Sequence, residues 1–174
     1  MKTLAAAILI AVGGVATIGG AAFAADAGLT PVDRDFINKT AQGHQMEIAA
    51  GKLAAQRAMD TNVKQFGERM VSDHTAALEA LKTLAASKQM PQPDNSVSPE
   101  GNTAVGKLES LSGSEFDKQY SKMMVKDHTA DITAFQTEAK KGVDADVKAY
   151  AEQTLPALRH HLMMANQLAG ASNR

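Results

Sequence analysis

Along most of this chain apolar residues recur at steps of three and four, in runs divided by short polar breaks. That spacing lines up one face of an α-helix, and four such runs follow one another. The first, from about residue 31 to 59, puts Phe36, Thr40, Gly43, Glu47, Ala50, Ala54 and Ala58 on one face. Thr30 is placed to cap it, Pro31 suits the first helical position, and Asp33 completes a capping-box pattern. Asp60-Thr61-Asn62 is so short a break that the second helix must return antiparallel. That helix runs to about Ser87 with Val63, Phe66, Met70, His74, Ala77, Leu81 and Leu84 on its stripe. The third, from Ser114 to about Lys141, carries Phe116, Tyr120, Met124, His128, Ile132 and Phe135. The fourth is capped at Asp144 or a near neighbour and runs to about Ala169, with Val147, Ala151, Thr154, Leu158, His161, Ala165 and Leu168. Pro156 inside it cannot donate to the carbonyl of Glu152, which predicts a kink.

Residues 88–106 lose the periodicity. Pro91, Pro93, Pro99, Gly101 and Gly106 predict a long connection, with at most a short helix over Thr103–Leu111 stopped by Gly113. Helices of about 25 residues span about 38 Å each. Two short connections and one long central one predict an all-α fold, a four-helix bundle that crosses over between helices two and three. A simple up-down-up-down bundle with an irregular central loop meets the same pattern.

The first 24 residues are of another kind. Met1-Lys2 is followed by an apolar run from Leu4 to Ile18 and the small-x-small sequence Ala22-Phe23-Ala24. This predicts a secretory signal peptide over residues 1–24 and a helical domain over 25–174, exported to the periplasm or elsewhere in the cell envelope. Membrane contact would come only through that segment, if uncleaved. The chain has no Cys, so no disulfide framework is available, and any metal ligands must be His, carboxylate or Met. A formal charge of −1, with no basic run and no phosphate loop, excludes a nucleic-acid partner, and no segment announces a protein partner.

The candidate chemistry lies in a repeated phrase. Met70–Thr75 reads Met-Val-Ser-Asp-His-Thr and Met124–Thr129 reads Met-Val-Lys-Asp-His-Thr. His74, His128 and His161 lie on the apolar stripes of three helices, and Glu47 on that of the first. Each falls within about four residues of its helix midpoint, roughly 6 Å along the axis. Groups at the centres of helices share one height whichever way the helices run. Buried imidazoles and a carboxylate need partners, and an ion supplies one. Glu47, His74, His128 and His161 are therefore the candidate ligands of a transition-metal ion, zinc, copper or iron. Affinity should fall as pH drops through about 6. Asp73 and Asp127 are about 100° of helix rotation from the adjacent histidines and suit orienting an imidazole through its other nitrogen. His44 reads as a surface residue and His160 as a boundary one. A metal-free hydrogen-bonded cluster of the same groups has the same geometry. The i,i+4 pairs Met70/His74, Met124/His128 and His160/Met164 keep copper in view.

Several stretches resemble the domain-of-unknown-function 4142 family. They are Met46-Glu47-Ile48-Ala49, Met70-Val71-Ser72-Asp73-His74, Leu111-Ser112-Gly113 with Phe116-Asp117 and Tyr120, Met124-Val125-Lys126-Asp127-His128, and Leu155-Pro156-Ala157-Leu158 with His161. The resemblance implies an exported protein with a ferritin-like four-helix fold and implies no settled activity. Ferritin-like carboxylate sites use Glu-x-x-His, and this chain offers Asp-His instead, which suits one ion better than a di-iron centre. Three functions follow: a metal-binding bundle of uncharacterised role, a ferritin-like oxidase or peroxide-handling enzyme, or a structural or stress-related envelope protein with a metal-free polar core.

Overall fold

A computed structural model of the protein describes residues 28–171, so the signal segment expected over residues 1–24 lies outside the described residues. Those residues form five helices and no strand: α1 (Pro31–Arg57), α2 (Thr61–Ser87), α3 (Pro99–Glu109), α4 (Gly113–Lys141) and α5 (Ala145–Ala171). Their starts are set by local hydrogen bonds. The Asp33 backbone N–H donates to Thr30 Oγ1 at 3.2 Å and the Thr30 N–H returns to Asp33 Oδ2 at 2.9 Å, the expected capping box. Asp60 Oδ1 accepts from the Asn62 N–H at 2.7 Å, and Asp144 Oδ1 accepts from Asp146 and Val147 at 2.9 and 3.1 Å.

The central connection differs from the expectation. A helix begins at Pro99, not Thr103, because Ser98 accepts from the Gly101 N–H at 3.1 Å and Pro99 sits where its missing N–H is harmless. Gly101 is buried, and a Cβ there would lie 2.8 Å from Val97 Cγ1 and 3.0 Å from Met46 Cγ. A glycine that reads as a breaker is thus what lets α3 lie on α1. Gly113 opens α4 at φ +58° and does not close α3. Helix α5 runs unbroken through Pro156.

α1 and α2 form one antiparallel hairpin and α4 and α5 another. α1 faces α4, α2 faces α5, and α3 lies against α1 and α4. The first hairpin is drawn tight by a glycine pair. A Cβ on Gly51 would meet the Gly67 carbonyl oxygen at 2.8 Å, and one on Gly67 would meet Ala54 Cβ at 2.6 Å. The core falls into two apolar bodies. One gathers Phe36, Ile37, Leu78, Leu81, Phe135, Val147 and Leu158; the other gathers Val63, Phe66, Met70, Phe116, Tyr120 and Met124. The buried histidines and Glu47 belong to neither body. Among the described residues no helix is long and apolar enough to cross a membrane.

Candidate metal centre

His74 on α2, His128 on α4 and His161 on α5 are 2%, 0% and 3% exposed. Their ring centroids form a near-equilateral triangle: 5.5 Å from His74 to His128, 5.3 Å from His74 to His161 and 5.3 Å from His128 to His161. Each ring offers one nitrogen within 4.8 Å of those of the other two.

What each ring does with its two nitrogens decides the chemistry. His128 Nδ1 lies 3.0 Å from the Met124 carbonyl oxygen, which can only accept, so Nδ1 carries the proton and Nε2 the lone pair. His161 Nε2 lies 3.0 Å from Asp73 Oδ2, so Nε2 carries the proton and Nδ1 the lone pair. His74 Nδ1 lies 3.0 Å from His44 Nδ1 and 2.7 Å from Glu47 Oε2. His44 in turn places Nε2 3.0 Å from the Tyr150 hydroxyl, which donates to the Ala77 carbonyl oxygen at 3.2 Å. His44 Nε2 must then donate, its Nδ1 must accept, and the proton sits on His74 Nδ1. The remaining nitrogens, His74 Nε2, His128 Nε2 and His161 Nδ1, are buried and have no hydrogen-bond partner. Each unpartnered buried acceptor costs about 1–3 kcal/mol, which an ion would offset. Imidazoles whose other N–H is held by a carbonyl or carboxylate are in the state that metal ligation requires.

Electrostatics point the same way. Burial lowers His44 and His128, the latter against the pull of Glu47. Burial takes His161 down to about 4, against its bond to Asp73. These rings are neutral at neutral pH. Burial works to raise the Glu47 carboxyl, but the attraction of His74, with the nearby His44 and His128, outweighs it and holds it well below its ordinary value. Burial and the charge of Glu47 raise Asp127 to about 6, and burial with Glu47 and Asp127 raises Asp131 well above its usual value. Four elements thus converge on a waist that carries one firm negative charge.

The structure brings together Glu47, His74, His128 and His161. Glu47 approaches from the Nδ1 side, with Oε2 2.7 Å from His74 Nδ1 and Oε1 3.5 Å from His128 Nδ1. Asp73 bonds His161 across the α2–α5 contact. Asp127 has its Oδ2 buried without a hydrogen-bond partner and lines a cleft with Lys126, Glu100 and Ala104. His160 is exposed. Two participants escaped the sequence reading. His44 is 3% exposed, not a surface residue, and its one signal was its i,i+3 spacing from Glu47. Tyr150, which fixes the His44 tautomer, carries no local signal.

A family profile described as Domain of unknown function (DUF4142) matches residues 19–168. No curated protein matches the chain. Solved structures share the fold at low identity. The crystal structure of a DUF305 fragment from Deinococcus radiodurans has a TM-score of 0.73 at 14% identity, covering 83% of this chain and 99% of that one. A DUF305 protein from Streptomyces coelicolor, presumed to be secreted, has a TM-score of 0.69 at 13% identity, covering 82% of this chain and 94% of its own. CopM in its Cu(II)-bound form has a TM-score of 0.69 at 15% identity, covering 80% of this chain and 96% of its own.

Proposed function

The chain belongs to the DUF4142 family, whose description names no activity, and from the site itself we propose that it is an exported protein that binds a transition-metal ion in its core. The ligands are His74 Nε2, His128 Nε2 and His161 Nδ1, with Glu47 supplying the balancing charge from behind His74 and His128. The scaffold of this reading is the ferritin-like four-helix bundle, two hairpins joined by the long connection that contains α3. Export rests on the charged, apolar and small-x-small pattern of residues 1–24.

One observation carries the reading: three adjacent buried rings, each offering a nitrogen within 4.8 Å of the others, each keep one nitrogen without a partner while the opposite nitrogen is engaged. Three neutral imidazoles suit copper(II) and zinc better than a carboxylate-rich iron centre does. The Cu(II)-bound form of CopM, on a similar fold, makes copper the first ion to test. A bound ion would polarise a fourth ligand drawn from solvent or substrate, which is where the oxidase or peroxide-handling alternative would begin.

The test is elemental analysis of protein purified without chelator, together with melting curves in added copper or zinc. We expect stoichiometric metal that is lost in His128→Ala and His161→Ala. An ion at 100 times its Kd adds about 2.7 kcal/mol, or about 5–10 °C in Tm for a chain of this size. Absence of metal, with melting unchanged by either ion, would return the site to the metal-free polar-core reading.

A further inference from the structure

His74 belongs to two ligand-bearing groups. Besides the three-nitrogen set, His44, Glu47 and His74 each present one donor atom, all within 4.8 Å of one another. On this side the atoms are identified. His44 Nδ1 and His74 Nδ1 are 3.0 Å apart, His74 Nδ1 and Glu47 Oε2 are 2.7 Å apart, and His44 Nδ1 and Glu47 Oε2 are 3.8 Å apart. Donors around a tetrahedral ion with bonds of about 2.05 Å stand about 3.3 Å from each other. The observed triangle straddles that value. Its corners are 1–3% exposed, and they converge on a single shared proton.

The tautomers support a cation there. His44 is fixed with its Nδ1 lone pair inward by the Tyr150 hydroxyl. Glu47 is ionised and buried. Among the described residues no Lys or Arg is buried to neutralise it. A proton is the smallest cation that can hold this triangle together, and a dication neutralises it more fully.

We infer that His44 Nδ1, Glu47 Oε2 and His74 Nδ1 form a second divalent-cation site, so that the His74 ring bridges two ions. The inference rests on the three-nitrogen reading, because the first ion draws electron density from His74 through Nε2 and eases loss of the proton on Nδ1. Binding of the second ion breaks the His74 Nδ1–H bond. That proton passes to solvent, the ring becomes an imidazolate, and each ring nitrogen holds one ion. No electron changes hands. Two dications then face two negative groups, Glu47 and the imidazolate.

The experiment is titration of the full chain with Cu(II), followed by ion counting, proton release and electron paramagnetic resonance. Two ions per chain are expected, the second released with about one proton. Copper ions joined through one imidazolate couple magnetically, so the ordinary mononuclear signal should weaken as the second ion binds. His44→Gln, which keeps a polar side chain and is checked for folding by its melting curve, should hold one ion with an undiminished mononuclear signal. Saturation at one ion in the unmodified protein, unchanged in His44→Gln and abolished in His161→Ala, would overturn the second site and leave the first standing. Two ions with no loss of signal would overturn the bridge. No bound copper at all would remove both sites.

Discussion

Asp73 accepts the Nε2 proton of His161, and that one bond turns the Nδ1 lone pair inward. Without it the imidazole would be free to take the other tautomer. Asp73→Asn should therefore weaken metal binding about 10–100-fold, as loss of an acceptor behind a ligating histidine does elsewhere. Competition with a chromophoric chelator measures this. Melting of the metal-free variant should hardly move, since Asp73 is partly exposed and its contact with Arg69 is a 3.8 Å surface pair. The same ring sets the response to acid. The sequence alone places loss of affinity near pH 6, the ordinary range of a histidine. Burial takes His161 down to about 4 and lowers His44 and His128 as well. Protons should then compete for Nδ1 of His161 only as pH nears 4, and affinity measured at pH 6 should stay within a few-fold of its value at pH 7.

The helices hold these rings in place, and the tightest contact lies in the first hairpin. Gly67 lets α2 come so close to α1 that a Cβ would reach Ala54 Cβ and the Gly51 carbonyl oxygen. Gly67→Ala must push the two helices apart, and overpacking of this kind costs about 1–3 kcal/mol. Urea unfolding of the metal-free protein measures it. At the far end of α4, Glu138 bonds Asp33 at the start of α1. Burial, followed by the bond and charge of Asp33, raises its carboxyl from 4.5 to about 7. The folded state thus binds a proton more readily than the unfolded chain between those values. The stabilising contribution is full below pH 4.5 and is lost as pH rises through 7. Glu138→Gln should remove that slope, so the unfolding free energy of the unmodified protein should fall relative to that of the variant as pH rises from 5 to 8. Helical periodicity exposed α1, α2, α4 and α5 to within a few residues, because long amphipathic runs with capping residues leave little choice. It failed at Ser98-Pro99, where a helix start looked like a broken loop because its two glycines and prolines outweighed its cap. It also passed over Gly51 and Gly67, since a close approach between helices belongs to both partners and is written in neither alone.

Across the whole molecule, the polar waist divides two apolar bodies, and its position was legible from helix midpoints alone. His74, His128 and His161 meet because equal distance from the ends brings centres level, an argument that needs no topology. Which nitrogen faces inward was not legible, because it depends on Met124, Asp73 and the Tyr150–His44 pair, partners assembled from four helices. The three lone pairs are shared unequally between the hairpins, one from α2 and two from α4 and α5. Neither hairpin by itself can present the full set. A nascent or nicked half would offer at most two of these three lone pairs, so capture of an ion at the three-nitrogen site would report that both halves have docked. Cleavage within residues 88–98, the stretch without helix between α2 and α3, should leave the ion in place only while the halves stay together, and mild denaturant should release metal and fragment in the same step.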